Sequence, residues 1–144
     1  MDIASDEPGG ALAVGQRFHK AFHFDEEGIR AFAAAAGDTN PLHHDREAAE
    51  RSRYGGIIAS GTHYTALMMG LVADYFAREG EAVGLEFSFQ FKKAVPAGST
   101  MLAEWTIIEL DRNDKLGGYI VHLSGTLKSG EIVHVTAAGK ALSI

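Results

Sequence analysis

The sequence predicts an α+β domain in which an antiparallel sheet of about five strands wraps around one long helix. Three observations predict this class: a segment of period-two alternation near the amino terminus, a long apolar helix in the middle, and four alternating segments in succession after it. Consecutive strands that pair in antiparallel fashion need only short hairpin connections. The 144 residues are 46% hydrophobic and 22% charged, which suits one packed domain over residues 1–144.

One strand and two short helices are predicted before the long helix. Aromatic residues of one parity predict the strand over 16–24, and Asp25 follows it as the N-cap of the first helix. Gly37 suits the left-handed position that ends this helix. The second short helix is predicted over 45–53, where a pair of glycines follows it.

The long helix is predicted from about Thr62 to Glu79, because apolar residues recur there at intervals of three and four. These apolar residues are Tyr64, Leu67, Met68, Leu71, Val72, Tyr75 and Phe76. The flanking positions Ala66, Gly70 and Ala73 are small and allow another backbone to approach closely. Since a helix that is apolar on most sides needs cover, we expect other structure largely to enclose it.

Four strands are predicted after the helix. The first alternates apolar and polar side chains over 85–92, and the chain then turns at Pro96-Ala97-Gly98. The aromatic residues of this strand, which we expect in the core, are Phe87, Phe89 and Phe91. The other three strands are predicted over 100–110, 118–128 and 131–143, and Trp105 is expected in the core. Because one helix covers only part of a sheet, we predict a symmetric dimer at least.

Composition excludes several classes of protein and site. The chain has no cysteine, so disulfides and thiolate metal sites are excluded, and its net charge of −6 argues against binding to nucleic acid. The acidic start lacks the features of a signal peptide, and residues 1–14 are expected to be a frayed extension. The apolar segment 57–77 is interrupted by His63 and Asp74, so it is predicted as a core helix rather than a membrane span. We expect a cytoplasmic protein without membrane contact.

A dense polar cluster over residues 37–45 is the first candidate site. Asp38 and His43 lie five positions apart, and Asn40-Pro41 between them favours a fixed turn. A neutral imidazole can take up a proton near pH 7, and a nearby carboxylate can orient a water molecule. The same residue types are also frequent caps of helices, so the pattern alone leaves a purely structural role open.

The start of the long helix is the second candidate site. Ser60 or Thr62 can cap this helix, and Gly61 lies between them. A glycine at the first turn exposes a backbone N–H, reinforced by the helix dipole, to which a carbonyl oxygen can bind.

Three stretches of the chain resemble the MaoC-like hydratase/dehydratase family, which includes the (R)-specific enoyl-CoA hydratases. They are Phe-Asp-Glu-Glu…Phe-Ala (24–33), Gly-Asp-Thr-Asn-Pro-Leu-His-His-Asp (37–45) and Tyr-Gly-Gly-Ile-Ile-Ala-Ser-Gly (54–61). The second is the specific one, because the family signature is a Gly-Asp-x-Asn-Pro-x-His-x-Asp run. The close resemblance covers about a third of the chain.

The resemblance implies a hot-dog fold and a homodimer, or a dimer of dimers, with active sites near the subunit interface. It implies an acyl-CoA thioester as the substrate and addition of water to trans-2-enoyl-CoA, which gives (R)-3-hydroxyacyl-CoA, with the reverse dehydration. By position, Asp38 and His43 match the catalytic pair, and Gly61 matches the glycine whose N–H binds the thioester oxygen. Neither a metal nor a redox cofactor is implied.

Two departures from the family pattern leave alternatives open. Ser60 stands where many members have histidine, and Met69 stands where some have a small polar residue. A hot-dog thioesterase is one alternative, although such enzymes place a carboxylate on the long helix and residues 61–73 contain none. A non-catalytic acyl-CoA-binding protein is the other, and the presence of both Asp38 and His43 argues against it.

The remaining polar residues have weaker signals. A metal site of His44 with Asp45 and His63 is disfavoured, because adjacent residues seldom direct their side chains to one point. The basic residues that we consider for contact with the anionic coenzyme are Arg51, Arg53, Lys92 and Lys93. The histidines predicted at the surface or the edge of the core are His19, His23, His122 and His134.

Overall fold

A computed structural model describes residues 4–5, 11–78 and 80–144. Within this part of the chain the strands are β1 (Ala4–Ser5), β2 (Arg17–Phe24), β3 (Ala82–Phe91), β4 (Ser99–Asn113), β5 (Gly118–Ser129) and β6 (Ile132–Ser143). The helices are α1 (Glu26–Ala35), α2 (Arg46–Arg51) and α3 (Gly61–Ala77), and a 3-10 turn covers Pro41–His43. The predicted order of elements is confirmed from β2 onward, and β1 is an additional short strand that brings the sheet to six. None of the helices in the described part is long and apolar enough to cross a membrane.

The strands form one antiparallel sheet in the order β1-β2-β4-β5-β6-β3. Helix α3 packs on one face of this sheet. Phe18 of β2 stacks on Tyr75 of α3 with ring centroids 3.9 Å apart, and the indole N–H of Trp105 on β4 donates to the Met68 carbonyl at 3.0 Å. Trp105 is fully buried, as predicted, and the sheet wrapped around one helix is the hot-dog fold.

Local sequence explains where the helices begin and end. The Asp25 carboxylate caps α1 by accepting the Gly28 N–H at 2.6 Å, and Gly37 leaves the helix with a φ of +76°. Helix α2 is shorter than predicted, because Ser52 is already extended and its hydroxyl bonds the Ala49 carbonyl at 2.6 Å.

Strand pairing also differs from the prediction in the β4–β5 hairpin and near the amino terminus. Strand β4 continues into the polar stretch as far as Asn113, which pairs with Gly118 across the hairpin. Of the extension predicted to be frayed, residues 1–3 and 6–10 lie outside the described residues. Ala4 pairs with His19 at the β2 edge of the sheet.

Two predictions about burial are wrong for the single chain. Helix α3 is not enclosed on all sides, because the face that carries Ala66, Met69, Gly70 and Ala73 is exposed. Phe91 is 58% exposed and so lies outside the core. Phe87 and Phe89 are partly buried and pack against the core, as predicted. Both exposed surfaces adjoin β3, the strand at the open edge of the sheet, so the missing cover is concentrated on one side of the molecule.

Candidate active site

The loop between α1 and α2 is held by its own hydrogen bonds. The Asp38 N–H donates to the Ala33 carbonyl at 2.8 Å, and the Asp38 carboxylate accepts the Asn40 N–H at 3.0 Å. The Asn40 side chain in turn accepts the Leu42 N–H at 3.1 Å, at the start of the 3-10 turn. The ring of His44 bonds the Asp38 carbonyl at 2.6 Å through Nε2. These bonds fix the position of the loop backbone and of the side chains that it carries.

Asp38 and His43 are brought together by this loop. His43 Nε2 lies 3.4 Å from the second carboxylate oxygen of Asp38, and the histidine is 6% exposed. His43 Nδ1 lies 2.7 Å from the Ile58 carbonyl, which can only accept, so Nδ1 carries the hydrogen in the neutral ring. Nε2 is then an acceptor that faces another acceptor. A molecule that donates to both, such as water, suits this position.

Capping alone does not account for Asp38. One of its carboxylate oxygens binds the Asn40 N–H in a local turn, and the other faces His43. The cap of α2 comes instead from Asp45, whose carboxylate accepts the Ala48 N–H at 3.2 Å. Asp38 therefore shapes the loop and also presents a carboxylate to the imidazole.

Gly61 is the first residue of α3, and Ser60 occupies the N-cap position. Ser60 makes no side-chain cap, because its hydroxyl pairs with that of Thr62 at 3.1 Å. The expected cap is therefore absent at Ser60, and that side chain does not engage the first-turn N–H groups. A Cβ atom on Gly61 would lie only 2.9 Å from the ring of Phe91, so glycine permits this close approach.

A cleft of about 750 Å³ is lined by two of the three predicted site residues, His43 and Gly61. Asp38 is not among the lining residues, and its carboxylate lies behind the cleft wall, 3.4 Å from His43 Nε2. The aromatic side chains Tyr64 and Phe91 form part of its wall and meet edge to face at 5.4 Å. The cleft thus brings the imidazole of His43, the first residue of α3 and two aromatic side chains together.

Basic side chains line the same cleft. Of the four that the sequence singled out, Arg53, Lys92 and Lys93 are among the lining residues, whereas Arg51 is not. The Arg53 guanidinium donates to the Tyr54 hydroxyl at 3.0 Å, which fixes its position at the wall. In a chain with a net charge of −6, this group of cations is a local exception that favours an anionic ligand.

Burial changes the acid–base properties of two neighbouring residues on α3. Burial lowers the pKa of His63, with a smaller opposing effect of Asp25, and the buried Nδ1 of His63 has no hydrogen-bond partner among the residues that the structure describes. Its ring stacks on Phe32 at 4.5 Å. Burial raises the pKa of Tyr64, so the cleft wall keeps a neutral phenol there.

His44, Asp45 and His63 do not form a group whose ligand atoms lie close enough together to hold one metal ion. Among the described residues the one group with suitable spacing is Glu109, Asp111 and His122, on β4 and β5. There the imidazole of His122 bonds Asp111 at 2.7 Å and lies 3.6 Å from Glu109, which is an ion-pair arrangement at the surface. It carries no second feature that indicates a bound ion.

Sequence reasoning missed two residues of the site region. The sequence suggests His44 only as a disfavoured metal ligand, whereas in the structure it supports the loop by bonding the Asp38 carbonyl. His134 lies at the edge of the core, one of the two positions predicted for it, and the sequence does not indicate that it lines the cleft. The two residues that depart from the family pattern lie in different places. Ser60 is buried beside Gly61, whereas Met69 lines an apolar groove against β3.

Comparison with known proteins gives concordant results. Residues 11–126 match the family model described as the MaoC like domain. An (R)-specific enoyl-CoA hydratase of Aeromonas caviae is 32% identical over 105 residues, which are 73% of this chain and 77% of that protein. A UPF0336 protein of Clavibacter michiganensis is 27% identical over 125 residues, 82% of each chain.

A solved structure agrees with the fold. The (R)-hydratase of A. caviae involved in PHA biosynthesis superimposes with a TM-score of 0.83 at 27% sequence identity. The match covers 93% of this chain and 98% of that one, so the likeness extends over the helices and the sheet alike.

Proposed function

The chain belongs to the MaoC-like family of hydratases and dehydratases, and on this premise we propose that it adds water to trans-2-enoyl-CoA thioesters. The product is an (R)-3-hydroxyacyl-CoA, and the reverse dehydration uses the same groups. The observation that carries the proposal is the pair of acceptors, His43 Nε2 and the Asp38 carboxylate, which lie 3.4 Å apart, with His43 lining a cleft that Gly61 also lines. Asp38 and His43 are the catalytic residues of this proposal.

The acid–base chemistry follows from the tautomer of His43. The Ile58 carbonyl holds the hydrogen on Nδ1, so Nε2 can take a proton from a water molecule as its oxygen bonds to the β-carbon. Asp38 positions this water, and the proton taken up by His43 Nε2 is then passed to the α-carbon with the assistance of Asp38, so that the hydroxyl and the hydrogen of one water both end on the product. Positioned acid–base catalysis of this kind contributes on the order of 10²–10⁴-fold to the rate.

Charge stabilisation is assigned to the start of α3. When water adds to the β-carbon, electron density moves through the conjugated system to the thioester oxygen. The N–H of Gly61 and the positive end of the helix dipole stabilise that oxygen. A single donor of this kind is worth about 2.7–4 kcal/mol in other enzymes. The reaction as written uses only these groups, so we expect no metal or redox cofactor.

The cations of the cleft support a coenzyme A thioester as the substrate. Arg53, Lys92 and Lys93 line the same cleft as His43, and they suit the phosphates at the far end of the coenzyme. Lys92 and Lys93 are exposed and so can reach a ligand that extends out of the cleft.

We further propose that two chains associate through β3. This strand lies at the end of the sheet, and its Val83, Leu85 and Phe91 side chains are each at least half exposed. An apolar groove of about 250 Å³ between α3 and β3 continues this surface through Met69 and Gly70. A second copy in antiparallel register would cover both exposed surfaces at once.

The test is an assay with crotonyl-CoA that follows the loss of enoyl absorbance, with chiral analysis of the product. Formation of (R)-3-hydroxybutyryl-CoA, unchanged after dialysis against a chelator, is the expected result. Release of free thiol without hydration would point to a thioesterase. Inactivity on several chain lengths, together with binding of acyl-CoA, would point to a binding protein and would overturn the proposal.

A further inference from the structure

We propose that His134 is a substrate-positioning residue: its Nε2 accepts a hydrogen bond from an N–H or O–H of the pantetheine arm of the acyl-CoA. The proposal rests on the function proposed above, since it concerns the same cleft. It assigns a role to a buried histidine that the acid–base chemistry does not use.

The backbone directs His134 toward the cleft through a bulge in the sheet. Leu127 of β5 pairs with Val135 of β6, and the next residue, Lys128, pairs with Val133, so His134 is the extra residue between the two pairs. A bulge changes the direction of a side chain and is frequent beside active sites. His134 is only 8% exposed, and it lines the cleft together with His43.

The ring of His134 is fixed in the same way as that of His43. His134 Nδ1 lies 2.9 Å from the Ala94 carbonyl, and His43 Nδ1 lies 2.7 Å from the Ile58 carbonyl. Ile58 and Pro96 form a β-bridge, so the two accepting carbonyls belong to two paired segments. Each histidine is therefore attached by Nδ1 to this pair of segments, and each neutral ring keeps an acceptor at Nε2.

The two histidines differ in what accompanies them. His43 faces the Asp38 carboxylate, whereas the main-chain carbonyl of His134 accepts the N–H groups of Lys92 and Lys93, at 2.8 and 3.1 Å. His134 is thus on the side of the cleft that carries two of its cations. A ligand with its thioester at Gly61 and its phosphates at these lysines would place the connecting arm beside His134. The arm of coenzyme A contains two amide N–H groups and a hydroxyl, which suit an acceptor.

Two substitutions separate the bond that His134 makes within the protein from the one that we propose to the ligand. His134→Asn keeps a donor near the position of Nδ1 for the Ala94 carbonyl and removes Nε2. His134→Gln places a polar group near the position of Nε2 and gives up the Nδ1 bond. His19→Asn, the same change on β2, is the matched control.

The measurements are KM and kcat for crotonyl-CoA and the dissociation constant of butyryl-CoA, which has no double bond to hydrate, by calorimetry. We expect His134→Asn to raise KM and this dissociation constant roughly 3–10-fold, with kcat within about twofold, as for the loss of one hydrogen bond. We expect His134→Gln to recover most of the affinity and His19→Asn to match the wild type.

The outcomes are distinguishable from failure of the proposed function. If the wild type binds butyryl-CoA but hydrates nothing, the hydratase proposal fails and the binding arm still tests His134. Unchanged affinity for butyryl-CoA in His134→Asn would overturn the assignment, and so would a loss confined to kcat. An equal loss of affinity in His134→Asn and His134→Gln would indicate a packing role and would also overturn it.

Discussion

The loop at 37–45 and the outer strand β3 form two sides of one cleft, and they differ in how far a single chain completes them. The loop's backbone and its polar side chains are bonded to nearby groups, and His43 is 6% exposed. Strand β3 leaves Val83 57% exposed and Phe91 58% exposed, although both side chains are apolar. The polar groups of the loop are therefore satisfied within one chain, whereas β3 leaves apolar surface uncovered.

The groups proposed for catalysis and the surface that shields them from water therefore depend on different parts of the molecule. The groups proposed to transfer protons are positioned by hydrogen bonds within about twenty residues of one another along the chain, from Asp38 to Ile58. The wall that would shield them from water includes Phe91 and depends on the open edge of the sheet. Changes in the loop should therefore remove activity without altering assembly, and changes on β3 should alter assembly first.

The largest expected effect is at the acid–base pair. Asp38→Asn and His43→Ala should each lower kcat at least about 100-fold, because each removes a group from positioned proton transfer. Both variants should remain folded and keep the wild-type mass in solution, since neither residue lies on β3. The measurements are steady-state hydration of crotonyl-CoA and light scattering after size-exclusion chromatography. A variant with wild-type kcat would remove its residue from the mechanism.

A charge on the open edge is expected to affect assembly. Val83→Lys places an ammonium in the apolar groove against α3 and should shift the protein from dimer toward monomer, because charged edge strands resist pairing. Activity should fall together with the dimer and recover in part at higher protein concentration. Leu116→Lys, an equally apolar exposed position in the β4–β5 hairpin, is the control. Equal masses for both variants and the wild type would contradict the proposed interface.

Sequence patterns predicted the positions of the helices and strands much better than they predicted which surfaces of β3 are covered. Period-two alternation located every long strand, and Asp25 and Gly37 marked the ends of α1, because these signals are local. Alternation also showed that Phe91 shares a face with Phe87. It could not show whether anything covers that face, which depends on the position of β3 at the sheet edge.

The part of the candidate site that could be predicted is the part formed by consecutive residues of the chain, at 37–45. The resemblance at 37–45 named Asp38 and His43, and the structure places them in contact. The pattern does not predict that His134 lines the cleft, because a bulge interrupts the alternation of β6 at this residue. Its bond to Ala94 joins residues 40 positions apart, which no local pattern encodes.

The contact between the two sides can be tested at Gly61. A methyl group there would lie 2.9 Å from the ring of Phe91, so Gly61→Ala should displace that ring across the helix N-terminus and lower kcat/KM about tenfold. The double variant Gly61→Ala/Phe91→Ala removes the steric conflict and should be more active than Gly61→Ala alone. If the second change gives no recovery, the ring of Phe91 is not what makes glycine necessary, and the steric link between the two sides fails.

The smallest expected effect is on stability, at the buried Nδ1 of His63 on α3, outside both the loop and β3. Burial lowers the pKa of His63 below 6.5, so at acidic pH the unfolded chain binds a proton that the folded chain excludes. The free energy of unfolding should therefore decrease as pH falls below about 6.5. His63→Phe removes the unpaired Nδ1 and should reduce this decrease, as measured by urea unfolding at pH 7.5 and 5.5, whereas His19→Gln should keep the wild-type dependence. If His63→Phe loses as much stability as the wild type over this range, a group other than His63 is responsible for the pH dependence.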